Sequence, residues 1–176
     1  MIIYFLRHAN AGERVMNPKK DEKRALDDLG IEQCGYVGRA LAALDIQVDM
    51  IISSPLKRAA QTASLVGNEI GYEGKLQLED ALRPNASFSD FRKMLSKYAR
   101  QESLVVVGHN PNLSEFLGRS ISDGGREANV ELKKGAVARI ELSRSSGVLQ
   151  WCLTPKLVRT FHTAATESSR PKTSRK

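Results

Sequence analysis

A chain of 176 residues, 41% hydrophobic and 27% charged, has the composition of one soluble globular domain. No run approaches the roughly 18 apolar residues of a membrane span, and Met1 leads into a short apolar run without the basic segment of a secretory leader, so the expected address is cytoplasmic. Of the net charge of +7, the segment from Pro155 to Lys176 carries +5; a basic tail without an aromatic-rich surface does not describe a specific nucleic-acid binder.

The chain opens on a buried strand, Ile2 to Leu6, too short for a helix and rich in Ile, Tyr and Phe. It delivers Arg7 and His8 into a polar segment that continues to Gly30 and has the length of a functional lid. Within it, the mixed-charge run 13–24 either grips an acidic partner or is a solvated loop. Apolar residues at helical spacing then run from Ile31 to Leu44, with Gly35 and Gly38 allowing close packing on the sheet. A second strand, Asp49 to Ser54, stops at Pro55, and a helix from Lys57 to Ile70 ends at Gly71. Residues 75–82 read as an edge strand. Phe88, Phe91, Met94, Leu95 and Tyr98 form the core stripe of an amphipathic helix, with Ser87 and Ser89 as candidate caps.

Leu104 to Val107 is the clearest buried strand, and it ends in Gly108-His109. Asn110, as its cap, opens a helix through Ile121 that Asp123-Gly124-Gly125 breaks. Residues 135–142 and 147–154 read as a hairpin joined at Ser143 to Gly147. The last dozen residues read as disordered, with His162 a bystander near them. Cys34 and Cys152 lie far apart without metal-ligand spacing and are expected as buried free thiols. The alternation of strands and helices predicts one domain over residues 1–155, a three-layer α/β/α fold on a mostly parallel mixed sheet, and a basic extension over 156–176.

Three predicted strand ends carry chemistry. If the strands are parallel, one sheet edge collects Arg7 and His8, then Ser53-Ser54-Pro55 with Arg58, then His109 and Asn110. Two arginines, two histidines and two helix starts define a phosphate site. A neutral imidazole is a competent nucleophile there, and the arginines with the second histidine would neutralise the phosphoryl oxygens. The carboxylate clusters typical of Mg²⁺ sites are missing, so no metal and no cofactor is expected.

Leu6-Arg7-His8-Ala9 resembles the signature of the histidine phosphatase (phosphoglycerate-mutase-like) superfamily, with Ala9 in place of its glycine. The stretch from Ser53 to Ala63, SSPLKRAAQTA, is similar to a second block of that family, and Val107-Gly108-His109-Asn110 to a third. Arg24-Ala25-Leu26 with Leu29-Gly30 and Gln33 matches a fourth, with Asp27 where Thr is common. The ordered set covers roughly residues 1–155, and its short connections look like the SixA-type branch.

The resemblance implies His8 as nucleophile, His109 as second histidine, and Arg7 and Arg58 as phosphate ligands. Asn10 and Asn110 are further candidates for phosphate contact. Glu79 or Asp80 is the candidate general acid, in an unfamiliar sequence context that favours a phosphohistidine substrate. The implied activity removes phosphate from a histidine-containing phosphotransfer protein. The alternatives are a small phosphorylated metabolite, as for a phosphomonoesterase or pyrophosphate-cleaving relative, or a silent phosphate-binding module. No specific nucleic acid or membrane partner is implied.

Overall fold

The computed structural model describes residues 1–124, 127–143 and 146–168. Strand β1, Ile2–Arg7, occupies the middle of a six-stranded sheet of order β3-β2-β4-β1-β5-β6. On one side it pairs in parallel with β4, Ser103–Gly108, which pairs in parallel with β2, Met50–Ser53. The parallel edge strand β3 is only Gln77–Leu78. On the other side β1 pairs antiparallel with β5, Val137–Leu142, which forms a hairpin with β6, Gly147–Leu153. The sheet is thus mixed and mostly parallel, as the alternating pattern predicts.

The side-chain period of two divides β1 between two cores. Ile3 and Phe5 face one way, with Leu104 and Val106 of β4, onto the helices α4, Phe88–Lys97, and α5, Asn112–Ser120. Tyr4 and Leu6, with Val105 and Val107, face α2, Asp28–Ala43, and α3, Lys57–Glu69. A strand buried on both faces must read as a continuous apolar run, which is how β1 and β4 are recognisable. Phe5, Phe91 and Phe116 are fully buried, and the last two stack at 4.9 Å. Burying each such ring stabilises the fold by about 1.5–3 kcal/mol.

Local chemistry sets the helix ends. Asp27 caps α2 by accepting the Gly30 N–H, and Ser87 with Asp90 forms a reciprocal capping box on α4, leaving Ser89 inside the helix. Gly71 takes φ +68° just past α3. A Cβ at Gly38 would lie 2.6 Å from the Glu69 Cβ, so this glycine admits α3 to α2; the close approach is helix to helix, not helix to sheet.

Several expectations are corrected. The edge strand expected over 75–82 shrinks to two residues because a 3₁₀ turn, Asp80–Leu82, swings Leu82 into the core. Cys34 is buried, but Cys152 is exposed, since β6 is the sheet's outer strand and lacks a covering helix on that side. The polar segment after His8 contains a short helix, α1, Pro18–Glu22. Residues 165–168, expected as disordered, belong to α6, Pro155–Ser168, which packs on α2 and sets His162 edge-on to Tyr36 at 6.2 Å. Gly125, the centre of the hairpin turn and residues 169–176 lie outside the described residues.

Candidate active site

Parallel pairing puts Arg7 opposite Gly108 and Ser53 opposite Val107, so β1, β2 and β4 end on one edge. The next residues, His8, Ser54 and His109, are all buried. The His8 and His109 rings lie 4.9 Å apart between centroids.

The proton on the His8 ring follows from its partner, an assignment from the hydrogen-bond network. His8 Nδ1 is 2.7 Å from the Ala9 carbonyl, which can only accept, so Nδ1 carries the hydrogen and Nε2 keeps its lone pair. His109 Nε2 is 2.9 Å from Ser54 Oγ. That hydroxyl accepts the Leu56 N–H and keeps both a lone pair and its hydrogen for Nε2, so this bond serves either tautomer of His109. His109 Nδ1 is buried without a partner.

The arginines follow the same pattern. Arg7 gives Nη1 to the Leu132 carbonyl at 2.8 Å, and Arg58 gives Nη1 to the Asp21 carbonyl at 2.9 Å. The Asp21 carboxylate adds an ion pair to Arg58 at 3.2 Å and another to Arg24 Nε at 2.9 Å. Each guanidinium is held by a loop at one end, while Arg7 Nε and Arg58 Nε, also buried, have no partner. Among the described residues, three of the four buried unpartnered side-chain polar atoms are therefore nitrogens of Arg7, Arg58 and His109. Buried polar atoms are almost always paired, so the concentration of these at one place marks an anion site.

Electrostatics keeps both rings neutral. Burial, then the charges of Arg58, Arg7 and Arg24, pull the His8 pKa down to about 3 against the opposing bond to Ala9. Burial first, then His8 and the same arginines, take His109 to about 2. An uncharged His8 with a free Nε2 is a nucleophile without need of a base.

Other expected ligands are engaged elsewhere. The Asn10 side chain donates to Asp27 and accepts from Lys134 Nζ at 2.6 Å, while its backbone N–H bonds Gln33. Asn110 does not cap α5; Pro111 takes that position. The Asn110 amide bridges the Leu132 carbonyl and the Ser114 hydroxyl, so both asparagine side chains order loops. Glu79 bonds Lys97 and the Tyr98 hydroxyl, and Asp80 pairs with Arg83 and is mostly exposed.

Sequence reasoning missed Asp21, the Ser54 hydroxyl and Leu132. Asp21 lies in a run that looks solvated, and Leu132 acts through a carbonyl any residue could supply. The Thr62 hydroxyl donates to the Arg58 carbonyl one turn back in its helix and accepts the Ala9 N–H. Among the described residues no three His, Cys, Asp or Glu side chains group as metal ligands, and no helix is long and apolar enough to cross a membrane.

The structure is thus a mixed α/β/α sheet with paired histidines and two arginines gathered at its carboxyl edge. The histidine phosphatase superfamily (branch 1) model matches residues 3–104, and the chain belongs to that superfamily. It is 33% identical to an uncharacterised protein of Picosynechococcus over 140 residues, 78% of this chain and 82% of that one. It is 22% identical over 158 residues to the phosphohistidine phosphatase SixA of Escherichia coli K12, 88% of this chain and 94% of that one. The solved structure of the protein histidine phosphatase SixA complexed with tungstate superposes with TM-score 0.77 at 19% identity, covering 89% of this chain and 98% of that one. The phosphoglycerate-mutase-like fold of the SixA-type branch is the fold of this chain.

Proposed function

We propose that this protein is a metal-independent phosphohistidine phosphatase acting on a histidine-containing phosphotransfer protein. The observation that carries this reading is the grouping of unpartnered buried nitrogens of Arg7, Arg58 and His109 with the free Nε2 of His8 at one sheet edge. The two guanidinium groups and His109 grip the phosphoryl group, and His8 Nε2 attacks phosphorus as the bond to the substrate's imidazole breaks. That imidazole, protonated by solvent water on its other ring nitrogen before the bond breaks, leaves neutral. His8 keeps its Nδ1 hydrogen on Ala9 throughout, so the phosphorylated ring has a fixed orientation. Water then attacks phosphorus, releasing phosphate and restoring His8.

The leaving group decides for phosphohistidine. An alkoxide must be protonated by a positioned acid, whereas imidazole has an ordinary pKa near 6.5 and departs with far less help. Glu79 and Asp80 are both committed to other partners, so neither is assigned the acid's role. The likeness to SixA, named a phosphohistidine phosphatase, supports the same substrate class.

The test compares phosphate release from a phosphorylated histidine-phosphotransfer domain and from a panel of phosphomonoesters, in EDTA, with wild type and His8→Ala. The reading requires fast protein dephosphorylation, weak ester turnover, and a loss of at least about a thousandfold in the variant. Faster ester turnover would replace the substrate, and an active His8→Ala would replace the mechanism.

A further inference from the structure

The segment 13–24 reads in sequence as mixed charge, but the fold separates its signs. Asp21 turns inward to Arg58 and Arg24, and Glu22 pairs with Arg83 at 2.8 Å. Arg14, Lys19, Lys20 and Lys23 are exposed and have no carboxylate partner among the described residues, with Glu13 the one remaining acid of the segment. Between Arg14 and Lys19 stand Val15 and Met16, and Met16 is 94% exposed. The segment cannot lie far from the phosphate site, because its Asp21 holds the Arg58 guanidinium through both a carbonyl and a carboxylate.

We infer that residues 14–23 are the docking element for the substrate protein, receiving an acidic surface with an apolar spot beside its phosphorylated histidine. The inference rests on the phosphoprotein reading given above and specifies its partner. Met16, with the part-exposed Val15 beside it, offers an adaptable apolar contact at the centre of the cations. Four unpaired cations around it steer an acidic partner and set its register. A polyanion such as nucleic acid would satisfy the cations but leave Met16 without an apolar surface to cover it. The inward acid has a second effect: Asp21 ties the docking surface to Arg58.

The test uses full-length protein carrying Lys19→Glu, Lys20→Glu and Lys23→Glu together, and separately Met16→Asp. These side chains are exposed and outside the phosphate site, and circular dichroism checks the fold. Two substrates are compared, a phosphorylated acidic histidine-phosphotransfer domain and free N-phosphohistidine. The expected result is a KM for the phosphoprotein raised about tenfold in each variant, with kcat/KM on free N-phosphohistidine within about twofold of wild type. The wild-type KM for the phosphoprotein rises with salt, and that of the triple variant does not. Unchanged phosphoprotein kinetics, or equal losses on both substrates, would overturn the docking role and leave the phosphohistidine reading intact. Variant-sensitive flotation with anionic vesicles and an unchanged phosphoprotein KM would instead assign the segment to membrane surfaces. A wild type that hydrolyses phosphomonoesters but neither phosphohistidine substrate would sink the underlying reading, and the docking role with it.

Discussion

His8 and His109 meet ring to ring, 4.9 Å between centroids and tilted by 55°, inside a pocket that also holds two guanidinium groups. Among the described residues no carboxylate bonds either ring; the partners are the Ala9 carbonyl and the Ser54 hydroxyl. The pair is therefore stable only when neutral.

Stability should depend on pH accordingly. With folded values of about 3 and about 2 against an ordinary 6.5, both rings bind fewer protons folded than unfolded across that interval. Their contribution is complete above pH 6.5 and is lost as pH falls toward the folded values. Urea unfolding of His8→Asn/His109→Asn should show a flatter fall in stability between about pH 6.5 and 4.5 than wild type. Imidazole ¹⁵N NMR should find both wild-type rings neutral at pH 5; a charged ring there would refute the arrangement.

Asp21→Ala should lower kcat/KM by about tenfold, the loss of a charge-assisted contact that orients Arg58. The sign is informative. Deleting a carboxylate beside Arg58 and Arg24 makes the pocket more positive, so a purely electrostatic role predicts tighter inhibition by inorganic phosphate. A positioning role predicts weaker inhibition, with Asp21→Asn intermediate, and titration of phosphate inhibition separates the two.

Ser54→Ala leaves His109 Nε2 buried without its partner and frees the ring to turn. A decrease in kcat of about ten- to a hundredfold is expected, from a loss of about 1.5–3 kcal/mol. Ser54→Thr, which keeps the hydroxyl, should recover most of it. Equal kcat values for wild type and Ser54→Ala would show that this bond does not matter.

Gly30→Ala should be among the more damaging small substitutions. A Cβ there would collide with the Asn10 carbonyl, which itself accepts the Asp27 N–H at 3.3 Å. Relief requires moving either the start of α2 or the loop after His8, at a cost of about 1–3 kcal/mol. Thermal unfolding should register it as a lower Tm, accompanied by reduced turnover because the loop continues from the nucleophile.

The meeting of the candidate site residues was legible because they sit where regular structure stops. Arg7, His8, Arg58 and His109 each follow a buried apolar run or open a helix, and parallel pairing of the strands converts sequence order into proximity. The supporting contacts were not legible for a matching reason. Asp21 comes from a five-residue helix too short to show a period and Leu132 from an irregular segment, and they act on residues 37 and 125 positions away. Asn10 and Asn110 suit both phosphate contact and loop tie in sequence, and in the structure their side chains bond Asp27, Lys134, Leu132 and Ser114. Cys152 looked buried because alternation in a strand does not say whether both of its faces are covered.

The central position of β1 has a consequence for how the protein comes to be active. Strand β1 finds its two neighbours only at residues 103–108 and 137–142, so both pairings close long loops. A chain ending between residues 110 and 136 would contain His8, His109 and both guanidinium groups, yet lack β5 to complete the centre of the sheet. The edge that carries both histidines is therefore framed only when sequence-distant strands have met, so the site and the centre of the sheet are expected to form together.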